Sequence, residues 1–310
     1  MKRQIFLFFL ALMSLTVSAQ TKTIQRQPKP AQPKSAQQTP VKPTPKQSKP
    51  ATKPTKPAPA PSKHKATPDS ERQGEGSSPI SDINLIIDNL VNNMVYVEGG
   101  TFTMGATSEQ GSNADGWEKP VHQVTLSPFS IGRYEVTQEE WEAVMGSNPS
   151  EFKRAKRPVE MVSWDDCQEF IRRLNELTGK NFRLPTEAEW EFAARGGNSS
   201  RGYKYAGGND IDTVAWYEGN CDRMLQDVGT KQPNELGLYD MSGNVYEWCS
   251  DWFGGYSSSP QTNPKGPDSG QFCVLRGGGW HNKEWYCCVS RRSLVLPTGQ
   301  SNDRGFRLAL

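Results

Sequence analysis

Two cysteines stand side by side in RGGGWHNKEWYCCVSRR, residues 276–292. A pair of thiolates can hold a soft metal ion or exchange electrons, provided both sulfurs reach the same point. Neighbouring residues of an extended chain face opposite ways, so Cys287 and Cys288 are poorly placed to grip one ion. The other cysteines are Cys167, Cys221, Cys249 and Cys273. An even count permits complete pairing in an oxidising compartment, and buried free thiols are the alternative. Histidine limits the chemistry further. Only His64, His122 and His281 are present, and His64 lies in a tract that reads as unfolded. A three-histidine metal site therefore cannot form within one chain, whereas two histidines and a carboxylate are not excluded by count. His122 in KPVHQVTL alternates like a strand residue, at the surface or partly buried.

The elements that must position these groups are partly legible. Thr137 with Glu140, Ser163, and Thr186 with Glu189 read as N-caps of three helices. Gly146, Gly179 and Gly196 read as their C-terminal stops. Cys167, Phe170, Ile171 and Leu174 fall on one face of the second. MVYVE, residues 94–98, reads as a strand before a Gly-Gly turn. Beyond Gly196 glycine, asparagine, proline and tryptophan are dense, and no periodic run exceeds a few residues. Short strands joined by long ordered loops are expected there. Trp190, Trp248, Trp252 and Trp280 read as core. Arg183, Arg195, Arg276, Arg292 and Arg307 read as donors that knit loop backbones together.

The first twenty residues, MKRQIFLFFLALMSLTVSAQ, have a basic start, a short apolar run and small residues at 17–19. That is the pattern of a secretory signal peptide (1–19), with an apolar run too short to span a membrane comfortably. Residues 20–82 form a Lys/Pro-rich linker that cannot bury apolar surface. Residues 21–65 hold ten lysines, one arginine and no acid. Residues 66–310 carry 23 basic against 34 acidic residues, a net of −11. An acidic body argues against nucleic acid as the partner. The expectation is an exported protein, periplasmic or extracellular, with no transmembrane segment in the mature chain and a folded part over 83–310.

Within that part MVYVEGGTFTMG, YEVTQEEW, RPVEMVSWDDCQEF, FRLPTEAEWEFAARGG, ELGLYDMSGNVYEW, RGGGW and RGFRLAL occur in an order that resembles the formylglycine-generating enzyme family, the sulfatase-modifying factors. The resemblance covers residues 94–310. It implies an α+β, loop-rich single domain with little regular secondary structure, related to the C-type lectin-like fold. It also implies copper chemistry at two cysteines four residues apart, and there this sequence departs. Counted from Trp280, the first cysteine position holds His281 and Asn282. Counted from Arg292, the second falls at Glu284. Gly279 replaces the motif's usual serine. Copper is therefore not expected, and no catalytic cysteine is carried over. Cys273, Cys287 and Cys288 remain as candidates for a rearranged site, with Cys273 and Cys287 as one such pair.

YDMSGNVYEW resembles the family's structural calcium loop, which implies side-chain ligands at Asp240 and Glu247 and carbonyl ligands at Gly243 and Val245. Hard oxygen donors on a tight turn suit Ca²⁺. A ligand groove, if retained in the segment that resembles the active site, would be lined by Trp280, His281, Trp285 and Arg292. The functional expectation is a binding or envelope-associated module with a protein or envelope ligand. The alternative is an oxidoreductase acting on a protein cysteine through a rearranged site.

Overall fold

The computed structural model describes residues 79–310. The expected signal peptide and the linker up to residue 78 lie outside the described residues. Helix α1 (Pro79–Asn92) opens inside the segment assigned to the linker. Proline suits the first helical position, where its missing N–H is one that the helix could not use. Strand β1 (Met94–Val97) follows, and then β2 (Gly100–Met104), β3 (His122–Leu126) and β4 (Phe129–Gly132). β1 pairs antiparallel with β4, and β2 with β3. Alternation along β3 turns His122, Val124 and Leu126 inward. His122 is a strand residue as expected, and it is buried rather than exposed or partly buried.

The three capped helices form where the local signals place them. They are α2 (Gln138–Met145), α3 (Trp164–Thr178) and α4 (Glu187–Ala194). Thr137, Ser163 and Thr186 each accept from the backbone N–H three residues on, and the acid there reaches back to the cap. Gly146 and Gly179 close α2 and α3 in the left-handed conformation. α4 ends one residue before Arg195, and Gly196 takes the positive φ that turns the chain away. Helix α5 (Ile211–Val214) is a single turn.

The last third is loops crossed by short strands: β5 (Tyr246–Trp252), β6 (Gln261–Thr262), β7 (Cys273–Arg276), β8 (Arg292–Val295) and β9 (Arg304–Gly305). β6 joins the β2–β3 pair in parallel with β3. The other four make a sheet in the order β8-β7-β5-β9. Trp141 stacks on Phe170, and Phe306 meets both edge-on, in the core between α2, α3 and this sheet, with Trp248 in the same cluster. Trp190 and Cys249 belong to a second core under β2–β4 and α4. Trp252 and Trp280 are only half-buried. All six cysteines are free and buried, so the buried-thiol alternative holds rather than disulfide pairing. Among the described residues no helix is long and apolar enough to cross a membrane.

Candidate functional site

Arg292 and Arg276 face each other across the β7–β8 pair, and both point into the interior beside α4. Arg292 grips Glu187 with two parallel hydrogen bonds, Nε to Oε1 at 2.6 Å and Nη2 to Oε2 at 2.7 Å. Its Nη1 donates to the carbonyls of Trp117 (3.0 Å) and Gly254 (2.9 Å). The guanidinium lies over the rings of Tyr256 (4.0 Å) and Phe253 (4.4 Å). Arg276 Nε sits 3.4 Å from Glu187 Oε1, an ionic contact without hydrogen-bond alignment, and Nη2 donates to Glu191. Glu191 accepts from Arg195 Nε at 2.9 Å, and Arg195 reaches Glu109 at 2.7 Å. The chain Glu109–Arg195–Glu191–Arg276–Glu187–Arg292 alternates in sign and balances its own charge. Buried ions persist only when paired in this way.

Beside this ladder opens a cavity of about 510 Å³, between the start of α4, the end of β5, the start of β3 and the segment 254–267. Glu187, Asp251, His122 and Arg292 lie at its floor, Met104, Trp252 and Tyr256 line it, and Lys265 is exposed at its edge. Asp251 is 4% exposed. Its Oδ2 accepts from Glu187 N (3.0 Å) and Ser250 Oγ (2.9 Å). Burial, and then the Glu187 charge, push its carboxyl up to about 7. Tyr256 donates to Glu187 Oε1 at 3.3 Å and meets the His122 ring edge-on at 4.9 Å. Burial raises the Tyr256 hydroxyl well above its ordinary value. His122 Nδ1 is 3.2 Å from Pro120 O. A carbonyl can only accept, so Nδ1 carries the proton, and in the neutral ring Nε2 is an acceptor.

The groove expected from the sequence does not form as one surface. Trp280 packs on Phe152 and His281, and its Nε1 donates to Asn302 O. His281 Nε2 lies 3.5 Å from Asp303 Oδ2. Trp285 sits against Tyr286 and Lys283. Arg292 is drawn away from all three because β8 pairs with β7 and carries it inward. Glu187, Asp251 and His122 escaped the sequence reading as site residues. Glu187 is also an ordinary first-turn acid of a helix, His122 alternates like a strand residue, and Asp251 lies in a stretch without a periodic run.

The rearranged pair of Cys273 and Cys287 does not form either. Cys273, on β7 opposite Trp252 and Val295, belongs to the α3 core. Cys287 and Cys288 lie in a separate cluster with Tyr205, Ile211 and Val214. Burial pushes the thiols of Cys273 and Cys288 up to about 12, and raises those of Cys287, Cys249 and Cys167. Such thiols are not thiolates at neutral pH. Nothing in the sequence marks Cys221 as a site residue. Its Sγ lies 2.9 Å from Trp280 O, and Cys287 Sγ lies 2.9 Å from where a side chain on Gly278 would begin, so both sulfurs border the 278–280 turn.

Asp240, Gly243 and Asn244 take positive φ, so the loop expected to bind calcium is tightly wound. Asp240 Oδ2 accepts from Gly229 N at 2.7 Å, while its buried Oδ1 has no partner. Both Glu247 oxygens are committed, to Arg307 Nε and Nη2 at 2.6 Å each and to Trp190 Nε1 at 2.7 Å. Glu135 Oε1 accepts from Val245 N, and its Oε2 from Asn244 Nδ2. Three buried carboxylates thus share one arginine. Burial, then the charges of Asp240 and Glu247, raise Glu135 well above the usual range, and burial pushes Asp240 up to about 6. The excess negative charge and the orphaned Asp240 oxygen fit a hard cation; the committed Glu247 does not fit as its ligand. Among the described residues no three His, Cys, Asp or Glu side chains are grouped so as to hold a metal ion.

A family model for the sulfatase-modifying factor enzyme 1-like domain matches residues 87–310. A chaperone protein LppX of Paenibacillus barcinonensis is 34% identical over 265 residues, covering 69% of this chain and 88% of that one. A formylglycine-generating enzyme of Streptomyces coelicolor is 32% identical over 285 residues, with the same coverages. Among solved structures, Treponema denticola variable protein 1 superposes with a TM-score of 0.63 at 34% identity, over 70% of this chain and 94% of its own.

Proposed function

The chain belongs to the sulfatase-modifying factor enzyme 1-like domain family, and on that premise we propose that it is an exported binding module without the copper-cysteine chemistry of the formylglycine-generating enzymes. One observation carries this reading. The cavity beside the ion ladder has no cysteine in its lining, and all six cysteines are buried. A copper oxidase needs thiolates at the place where its substrate lies. Here no thiol lines the space, Cys249 being buried behind Asp251 and Glu187, and the space is lined by an aromatic wall and a few fixed polar groups, the usual make-up of a ligand site. The name of the Paenibacillus relative, a chaperone, accords with a role in binding. Export, to the periplasm or beyond the cell, rests on the first nineteen residues. Fractionation of cells expressing the chain with and without them tests it.

The decisive assay is oxidation. Purified protein loaded with Cu(I) under reducing conditions is given a Cys-X-Pro-X-Arg peptide under oxygen. No aldehyde is expected; oxygen-dependent conversion of the peptide thiol to an aldehyde would overturn the reading. The placement of Cys221 and Cys287 against one turn is the observation that favours the oxidase alternative. If turnover occurs, Cys221→Ser and Cys287→Ser must each abolish it. As to metal, calcium would rest on Asp240 Oδ1 and the carbonyls of Gly243 and Val245. Its charge would offset the acids around Arg307, a structural role with no part in a reaction.

A further inference from the structure

We propose that the cavity between α4, β5 and the segment 254–267 binds an alkylammonium group, such as a lysine side chain of a protein partner, with Asp251 as its counter-ion. This rests on the reading of that cavity as the ligand site and names what it takes.

The argument is one of charge and free valence. Glu109, Arg195, Glu191, Arg276, Glu187 and Arg292 balance one another in the buried ladder. Asp251 stands outside it, with no cation within ion-pair distance among the described residues, and its Oδ1 makes no hydrogen bond to the protein. A buried carboxylate left in that state is costly unless something neutralises it. His122 Nε2 adds a second acceptor to the lining. Met104, Trp252 and Tyr256 supply apolar surface for the methylenes that carry an ammonium group.

An anion is the wrong occupant. Arg292 has bonds on all three of its nitrogens, and Arg276 lies behind Glu187 and Glu191. The remaining cation of the lining, Lys265, is exposed on the segment above, so it faces a ligand from the edge. Lys265 would repel an ammonium group, so its removal should strengthen binding, whereas at an anion site its removal would weaken it.

The charged and titratable groups around Asp251 are Glu187 and Glu189 on α4, Cys249 on β5, Arg276 and Cys273 on β7, Arg292 on β8, His122 on β3, and Lys265 and Tyr256 on 254–267. Protons compete with a cation for Asp251, whose carboxyl is held near 7. Amine binding should therefore weaken as pH falls below neutrality.

The test compares Nα-acetyl-lysine methylamide with the norleucine derivative, which keeps the stem and lacks the charge. Binding to the full chain is read by tryptophan fluorescence and by chemical-shift changes. The lysine derivative is expected to bind about tenfold more tightly than norleucine at pH 8. Binding should weaken about threefold or more by pH 6. Asp251→Asn should abolish the preference with the melting temperature undiminished, and Lys265→Ala should strengthen it. Equal affinities, an unchanged preference in Asp251→Asn, or no binding of the lysine derivative at millimolar concentration would each overturn the proposal. Binding of norleucine alone would leave the cavity a ligand site and remove only the amine.

Discussion

Arg292 and Glu187, 105 residues apart in the sequence, meet in a bidentate ion pair inside the domain, with both N···O distances below 2.8 Å. The pair joins β8 to the first turn of α4, and Nη1 ties in two loops through the carbonyls of Trp117 and Gly254. Such a pair is weak evidence for net stability, but removing one partner strands the other. Arg292→Met should therefore cost about 3–5 kcal/mol. The double variant Arg292→Met, Glu187→Gln should recover part of that loss. Chemical denaturation measures both, and a single variant as stable as the parent would show that the carboxylate finds another partner.

The thiols give a second test. Every cysteine is buried, and burial raises the thiols of Cys167, Cys249, Cys273, Cys287 and Cys288. Under native conditions at pH 8 a thiol-specific chromogenic reagent should label none of the six promptly, and all six after unfolding under reducing conditions. Rapid labelling of Cys221 or Cys287 in the folded protein would expose the turn at 278–280 and revive the oxidase alternative.

Calcium, if it binds only the folded state, adds about 2.7 kcal/mol at a hundredfold excess over its Kd. The melting temperature should rise with calcium and fall with chelator, and Asp240→Ala should remove the difference. Glu247→Gln should behave otherwise. It loosens the grip on Arg307 and so lowers the melting temperature with calcium and with chelator alike. Equal melting temperatures for metal-free and calcium-loaded parent protein would leave the loop held by protein contacts alone.

Asp251 sets a pH dependence of definite sign. An unfolded aspartate titrates near 3.9, whereas Asp251 is held at about 7 in the fold. Between these values the folded state keeps the extra proton. The residue's contribution to stability is therefore full below about pH 4 and is lost as pH rises through about 7. Asp251→Asn should be the more stable protein at pH 8, on the order of 2–4 kcal/mol, with the gap shrinking towards pH 4. A gap that did not vary with pH would mean that Asp251 is already ionised at little cost.

The parts of this fold legible in the sequence are those whose cause is local. A threonine or serine and an acid three residues later determine a helix start by themselves, so α2, α3 and α4 are readable, and the long ordered motifs carry the fold as a whole. The cavity depends on pairs no local rule connects. Arg292 meets Glu187 only because β8 pairs with β7, and Cys221 approaches the 278–280 turn across nearly sixty residues that include three strands. The expected groove of Trp280, His281, Trp285 and Arg292 assumed that one segment keeps one face. Strand pairing sends its last member inward while the first two turn towards Asn302 and Asp303.

The floor and the roof of the cavity are built differently. Helix α4, β7 and β8 fix the floor through the ion ladder, and β5 is held to it by its pairing with β7. The roof, residues 254–267, is rich in glycine, serine and proline and largely exposed; it is tied down at Gly254 and Tyr256 by Arg292 and Glu187, and again at 261–263 by the short β6 pairing and the Asn263 side chain on Ser127. Residues between those ties can change with little penalty to the domain. Selection can therefore retune which molecule enters over successive generations and leave the scaffold alone, a division of labour in which recognition diverges faster than architecture.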